Sequence, residues 1–528
     1  MNAIFELVRW FWRCLPSAMA LLIVGLPVSA SAQRTITVDV GRAAEPVDRF
    51  FNLSVGSDYP GTLMREDSMA QLQVARDELG FRYIRFHAIF HDVLRTVQVR
   101  DGRIIYVWDG IDRLYDDLLK RGLKPFVELG FTPQALKTSD SSIFYWKGNT
   151  SHPKLDEWRS LIDAFARHLE ARYGAQEVRS WYFEVWNEPN LDGFWEKADK
   201  AAYLELYKIT AMALKSVDPA LRVGGPGTAG AAWVPDLLNF AQENHLPVDF
   251  VTTHSYGVNG GFLDENGKED NKLSDDPHAI TDDVRNVRSQ IQASAFRDAP
   301  LFFTEWSTSY SPRDSIHDSY ISAPYILDKL KSVEGVVQGM SYWTYSDLFE
   351  EPGPPTAPFE GGFGLMNPQG IRKPSWFAYK YLTAIRGQSI PTVDRQSWAA
   401  TQDAKISLLL WDWTKPVQPV SNRSFYTKLL PNIGLGNAMV HFTGVRPGRY
   451  RLRIHRTGYR HNDAYSAYID MGMPKSLTPR QIASLQALTR DEPEIMEEIV
   501  VKGDGRIDRE LPISTNDIVL ITIDPERD

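Results

Sequence analysis

From about residue 51 the chain alternates short runs of β-branched and aromatic residues with stretches whose apolar residues recur every three to four positions. Runs at 51–55, 83–87, 125–129, 180–185, 222–225, 249–253, 301–304 and 340–344 read as eight strands. Between them Trp158, Leu161, Ile162, Phe165 and Leu169 line one helical face, as do Ile280, Val284, Val287 and Ile291. An eight-fold strand–helix alternation over roughly 340 residues predicts an α/β fold, a (β/α)₈ TIM barrel over 49–388. The rival, an open doubly wound sheet, lacks the glycine-rich turn expected after its first strand. Residues 96–106 read as a hairpin turning at Asp101-Gly102, expected to wall the mouth of the barrel after the second strand.

Past the eighth helix the period changes. Runs at 405–413, 449–454 and 517–523 read as strands separated by Pro- and Gly-containing turns, so 389–528 is expected to be a separate all-β, sandwich-like domain. Its one helix is expected to start at Thr478-Pro479, a cap residue before a first-turn proline. The segment 33–48 contains an alternating run at 35–40 that is expected to join the same sheet.

The first 32 residues read as a signal peptide. Arg9 and Arg13 precede a short apolar core at 18–28, and Ala30-Ser31-Ala32 has the small-residue pattern of a cleavage site. The core is well short of the ~20 residues that span a bilayer, so export to the periplasm or exterior is expected, with no membrane association after cleavage. The only cysteine, Cys14, falls in this segment, which leaves the mature chain without disulfides or thiolate metal sites. A net charge of -9 gives no attraction to phosphate backbones, so nucleic acid is not an expected partner. The 15 Trp and 22 Tyr supply flat amphipathic rings of the kind that stack on sugars.

In such a barrel the chemistry stands at the C-terminal strand ends. Glu188 follows the fourth strand in the run Trp186-Asn187-Glu188-Pro189, and Glu305 ends the seventh. Two carboxyls facing across a cleft can supply the proton and the anion that glycosidic cleavage needs. Glu128 and Glu184 lie inside their strands and are expected to be structural partners. No H-E-x-x-H or clustered His/Asp set appears, and neither metal nor cofactor is implied.

These features resemble the retaining (β/α)₈ glycosidases, and within them glycoside hydrolase family 39, the β-xylosidases and α-L-iduronidases. The phrases that carry the resemblance are Tyr83-Ile84-Arg85-Phe86-His87, Asn187-Glu188-Pro189, His254-Ser255-Tyr256, the run from Thr304 to Pro312, Tyr342-Trp343-Thr344-Tyr345-Ser346-Asp347 with Glu350-Glu351, and Gly361-Gly362-Phe363-Gly364-Leu365. The resemblance implies Glu188 as acid/base and Glu305 as nucleophile. It also implies Asn187 on the sugar 2-hydroxyl, His87 and His254 on other hydroxyls, Tyr256 near the nucleophile and Arg85 pinning it. Trp343 is the implied stacking platform, Glu350 and Glu351 are placed at the far end of the ring, and Tyr310 and Phe194 complete the substrate contacts. Ala88 stands where the family pattern has Gly, Val93 follows Asp92 where a second Asp is expected, Ser307 replaces Asn, and Glu360 precedes Gly361 in place of His.

A carboxylate close to C5 favours a pentose over a uronate. The implied activity is therefore an exo-acting β-D-xylosidase releasing xylose from xylo-oligosaccharides. Alternatives at this stage are another pentoside, a glucoside, an iduronide or an endo-acting exopolysaccharide hydrolase, and a secreted carbohydrate-binding protein with an inactive barrel.

Overall fold

All eight strands expected from the alternation form one closed parallel barrel in the computed structural model, which describes residues 34–263 and 267–526. The expected signal peptide lies outside the described residues. The strands are, in order, Ser54–Ser57, Tyr83–Phe86, Lys124–Leu129, Tyr182–Val185, Arg222–Thr228, Phe250–Tyr256, Leu301–Ser307 and Gly339–Tyr342. Tyr342 pairs with Val55 to close the ring. The first strand begins three residues later than the pattern suggests. Phe50–Asn52 form a 3₁₀ turn instead, held by the Asp48 carboxylate accepting from the Phe50 N–H at 3.1 Å. Phe50, Phe51 and Asn52 are all buried, so the run carries no alternation to mark the boundary.

The inward positions explain where the site sits. Near the N-terminal end Leu53, Phe126, Phe250 and Phe302 cluster with Tyr83 and Tyr182, plugging the barrel with stacked and edge-on rings. Two residues further along the same strands the inward side chains become Arg85, Glu128, Glu184 and Thr304. A dry aromatic floor therefore carries a polar layer directly beneath the mouth.

The helices follow their apolar faces. Leu155–Tyr173 buries Trp158, Leu161, Ile162, Phe165 and Leu169, and Thr281–Gln292 buries Val284, Val287 and Ile291. The hairpin Val97–Arg100 with Arg103–Tyr106 turns at Asp101 and Gly102 as expected, but none of its residues lines the cavity described below.

Two sheets follow the barrel. Thr35–Asp39 lies parallel to Gly434–Thr443, which also pairs with Ile507–Ser514. This three-stranded sheet faces a six-stranded one running Gln388–Ile390, Ser397–Gln402, Lys405–Trp411, Ile518–Pro525, Gly448–Thr457 and Ile495–Val501. Ile36, Val38, Val440, Phe442, Leu410 and Ile454 belong to their shared core. The expectation of a single helix here is wrong. Pro479–Leu488 does start behind Thr478, with a reciprocal capping box to Gln481, but Asn422–Tyr426 and Ala464–Asp470 are helical as well. These two are short, and the barrel holds them. Asn422 donates to Asp314 at 2.7 Å, and Tyr465 and Tyr468 pack on Phe359.

Candidate active site

The fourth strand ends at Val185, and the chain then turns sharply. Trp186 and Glu188 both take left-handed backbone angles, with φ of 70° and 46°, a conformation that costs a non-glycine residue about 1–3 kcal/mol. The turn is held by the Glu188 N–H donating to the Gly227 carbonyl and the Trp186 indole donating to the Phe194 carbonyl, both at 2.8 Å. It projects the Glu188 carboxyl over the mouth. Glu305 reaches the same space from inside the seventh strand, not from past its end. Oxygens of the two carboxyls and a ring nitrogen of His254 all lie within 4.8 Å of one another.

Arg85 organises the layer below. Fully buried, it donates to Glu184 at 2.6 Å, to Glu305 Oε1 at 2.7 Å and to Asn187 Oδ1 at 2.8 Å, and lies 3.2 Å from Glu128. Burial alone would weaken its basicity, but the Glu184, Glu128 and Glu305 carboxylates override that and hold it charged. Glu184 also accepts from Thr304. Glu128 and Glu184 are thus structural partners, as their positions within the strands suggest. Because Arg85 can only donate, the Asn187 amide must turn its oxygen down and offer its NH₂ to the cavity. Tyr256 donates to Glu305 Oε2 at 2.8 Å, so both oxygens of that carboxylate are engaged. Glu188, His254 and Glu305 could together act as donors to a metal ion, but the Arg85 guanidinium beside Glu305 opposes a second cation there.

The two carboxyls sit in different environments. Glu188 is 8% exposed, and burial raises its pKa to about 7 against the opposing pull of His87 and Arg85. His254 Nδ1 lies 2.9 Å from Glu188 Oε1, while its buried Nε2 meets no partner among the described residues. Burial lowers His254 to about 4, so the ring is neutral at pH 7. Its one proton belongs on Nδ1, since a proton on Nε2 would be a buried donor without an acceptor. His254 therefore donates to Oε1, and the proton of Glu188 must sit on Oε2. This corrects the expectation that His254 binds a sugar hydroxyl: the ring is wholly buried and bonded to Glu188.

A cavity of about 480 Å³ opens above these groups. Of the expected site residues, it is lined by His87, Asn187, Glu188, Phe194, Tyr256, Glu305, Tyr310, Trp343 and Glu351. His87 holds Glu128 at 2.6 Å through Nδ1 and Glu351 at 3.1 Å through Nε2. Burial opposes its charge, yet the two carboxyls raise its pKa well above the ordinary value. Burial in turn pushes Glu351 up to about 8, against the His87 hydrogen bond. Trp343 lies flat on the first strand because Gly56 has no side chain there; a Cβ would meet the indole at 2.2 Å.

Glu350 does not belong to the site. It points away to Arg65 at 3.0 Å, and its N–H donates to the buried Asp58. Glu360 is likewise turned aside, to Thr356 and Arg313. Ala88, where the family pattern has Gly, takes φ 60°, a left-handed position that explains the expectation of glycine.

Sequence reasoning missed Leu191, Ala229, Gly230, Ser255, Val258, Asp283 and Phe363, which also line the cavity. A signal for Phe363 lay in its glycine neighbours. Gly361 takes φ 80° against the Asp314 backbone, 2.3 Å from where a Cβ would stand. Lys373, fully buried, fixes the same loop. It bridges Asp318 and Asp347 at 2.6 Å each and donates to the Gly362 carbonyl, while those carboxylates accept from the Gly361 and Gly364 N–H groups. Lys373→Met leaves two carboxylates buried without their cation. We expect a loss of about 3–5 kcal/mol of stability, read as a lower denaturation midpoint; an unchanged midpoint would contradict the assigned role.

A family model described as "Glycosyl hydrolases family 39" matches residues 34–507. A protein from Caldicellulosiruptor saccharolyticus described as "Beta-xylosidase" is 35% identical over 502 residues, covering 92% of this chain and 98% of the relative. The crystal structure of a monomeric β-xylosidase from Caulobacter crescentus CB15 superposes with a TM-score of 0.92 at 65% identity, covering 94% of this chain and 100% of that one. A family 39 enzyme from Xanthomonas axonopodis pv. citri gives 0.94 at 60% identity, with coverage of 95% and 100%.

Proposed function

The chain belongs to glycosyl hydrolase family 39, and on that premise we propose that it is a retaining, exo-acting β-D-xylosidase that releases xylose from xylo-oligosaccharides. The observation that carries the retaining mechanism is the approach of the Glu188 and Glu305 oxygens to within 4.8 Å. Double displacement needs carboxyls about 5–5.5 Å apart, whereas inversion needs about 6.5–9.5 Å to seat a water between them. In the first step Glu188 Oε2 delivers its proton to the leaving oxygen while Glu305 attacks the anomeric carbon. In the second, Glu188 takes a proton from water, which displaces Glu305 and regenerates both groups.

The site also supports the choice of sugar. Asn187 offers its NH₂ to a 2-hydroxyl, Trp343 a stacking face, and the His87–Glu351 pair a polar end. No cavity-lining residue among those described is Arg or Lys, and the lining cation His87 is already held between Glu128 and Glu351, so a uronate would find no unengaged counter-ion. The targeting pattern at 1–32 supports export as part of the same reading.

Hydrolysis of a panel of aryl glycosides tests the substrate. The β-D-xyloside should have the highest kcat/KM; preference for a glucoside or an iduronide would overturn the xyloside assignment. The acid must be protonated in the free enzyme, and its pKa lies at about 7. The profile of kcat/KM should accordingly fall as pH rises through that value. A plateau persisting two pH units higher would contradict Glu188 as the acid.

A further inference from the structure

A carboxylate that does not line the cavity ties together the wall that carries Glu351. Asp58 follows the first barrel strand and is 1% exposed. Its Oδ1 accepts from the Trp146 indole at 3.0 Å, and its Oδ2 accepts from the Thr62 hydroxyl and the Glu350 N–H at 2.7 Å each. Trp146 belongs to the connection after the third strand and Glu350 to the loop after the eighth. Three segments of the barrel mouth therefore meet on one side chain.

Neighbours of both donors reach the site. Glu351 lines the cavity and bonds His87 Nε2 at 3.1 Å, and its carbonyl accepts from the Tyr145 N–H at 2.8 Å. Phe144 stacks on His87 with centroids 5.9 Å apart, and the Trp146 ring lies flat on Tyr59 at 4.7 Å. Among the described residues no Arg or Lys bonds Asp58. Burial pushes its pKa up to about 6, against the hydrogen bonds it accepts and the pull of His87. It is therefore ionised at pH 7 and can only accept, while its partners, the Tyr59 N–H among them, all donate. A neutral group of the same shape would set its own hydrogens against one of these donors and leave it buried and unpaired.

We propose that Asp58 is a positioning residue for the sugar site: it holds the Glu351–His87 pair in the geometry that binds substrate, without touching substrate itself. The inference rests on the glycosidase reading of the site. Three variants test it at pH 7, each on the aryl glycoside that the wild type cleaves best. Asp58→Asn keeps the shape but brings two hydrogens where only acceptors fit. Trp146→Phe keeps a ring to stack on Tyr59 and removes one donor. The third combines the two.

Asp58→Asn should raise KM by about ten-fold, since misplacing binding groups by about 1 Å can cost that much or more, while kcat stays within about three-fold. Trp146→Phe should raise KM by about three-fold, the worth of one ordinary hydrogen bond. In the double variant the Asn amide can turn its NH₂ to the vacated side and its oxygen to Glu350 and Thr62, so KM should fall below that of Asp58→Asn. A carboxylate that served stability alone would instead lower the active fraction, and so kcat, at unchanged KM. That result, or a double variant whose KM is no lower than that of Asp58→Asn, would overturn the proposal. Should Asp58→Asn fail to fold, Trp146→Phe decides alone, and a wild-type KM there overturns it. If the best substrate is not a xyloside, the xyloside assignment falls and the same comparison of KM still tests Asp58.

Discussion

Glu305→Ala is expected to lower kcat for a β-xyloside by on the order of 10⁵-fold, the scale seen when an enzyme loses its covalent nucleophile. The expectation follows from how the carboxylate is held. Arg85 and Tyr256 grip its two oxygens at 2.7 and 2.8 Å, and Arg85 is itself fixed by Glu184, Asn187 and Glu128. Among the described residues Glu128 and Glu184 are wholly buried beneath this position and Glu351 is held by His87, so none of them replaces it. The loss should be the same for good and poor leaving groups, since the bond to the anomeric carbon is missing in every case. Steady-state rates on an aryl xyloside and on xylobiose measure it; activity within ten-fold of the wild type on either would exclude Glu305 as nucleophile.

Glu188→Ala should behave differently, and the difference identifies its role. Loss of a general acid typically costs about 10²–10⁴-fold. The cost should be largest for xylobiose, whose leaving alkoxide needs the proton, and smallest for an activated phenol. With such a phenol the xylosyl-enzyme still forms but waits for a base to activate water. Azide is an anion that needs no base, and removal of the buried carboxyl makes room for it beside the anomeric carbon. Added azide should restore turnover several-fold and yield the β-xylosyl azide. An α-azide, or no rescue combined with equal losses on both substrates, would contradict the assignment.

Much of this architecture was legible in the chain. Strand–helix alternation placed all eight barrel strands because each buries both faces and is short, while each helix keeps one apolar stripe, as Trp158 to Leu169 do. Glu188 and Glu305 stood out because a barrel concentrates chemistry at its strand ends. What escaped depends on how loops travel in space. Glu350 and Glu351 are adjacent and identical in the sequence, yet one is drawn away by Arg65 and the other meets His87. The orientation of His254 toward Glu188 depends on a register shift between the sixth and seventh strands that no local pattern signals. Phe363 reaches the cavity only because a lysine ten residues later, Lys373, ties its loop to Asp318 and Asp347. Likewise the helices Asn422–Tyr426 and Ala464–Asp470 owe their form to contacts with the barrel, which outweigh short and unpromising local sequences.

The most direct test of a paired nucleophile and acid/base at this spacing is the anomeric configuration of the first sugar released. Proton NMR during the first minutes of hydrolysis of a β-xyloside, before mutarotation, should show the β-anomer of xylose alone, with the α-anomer rising later. An α-anomer formed first would mean inversion, and would contradict both the covalent role of Glu305 and the mechanism built on its distance from Glu188.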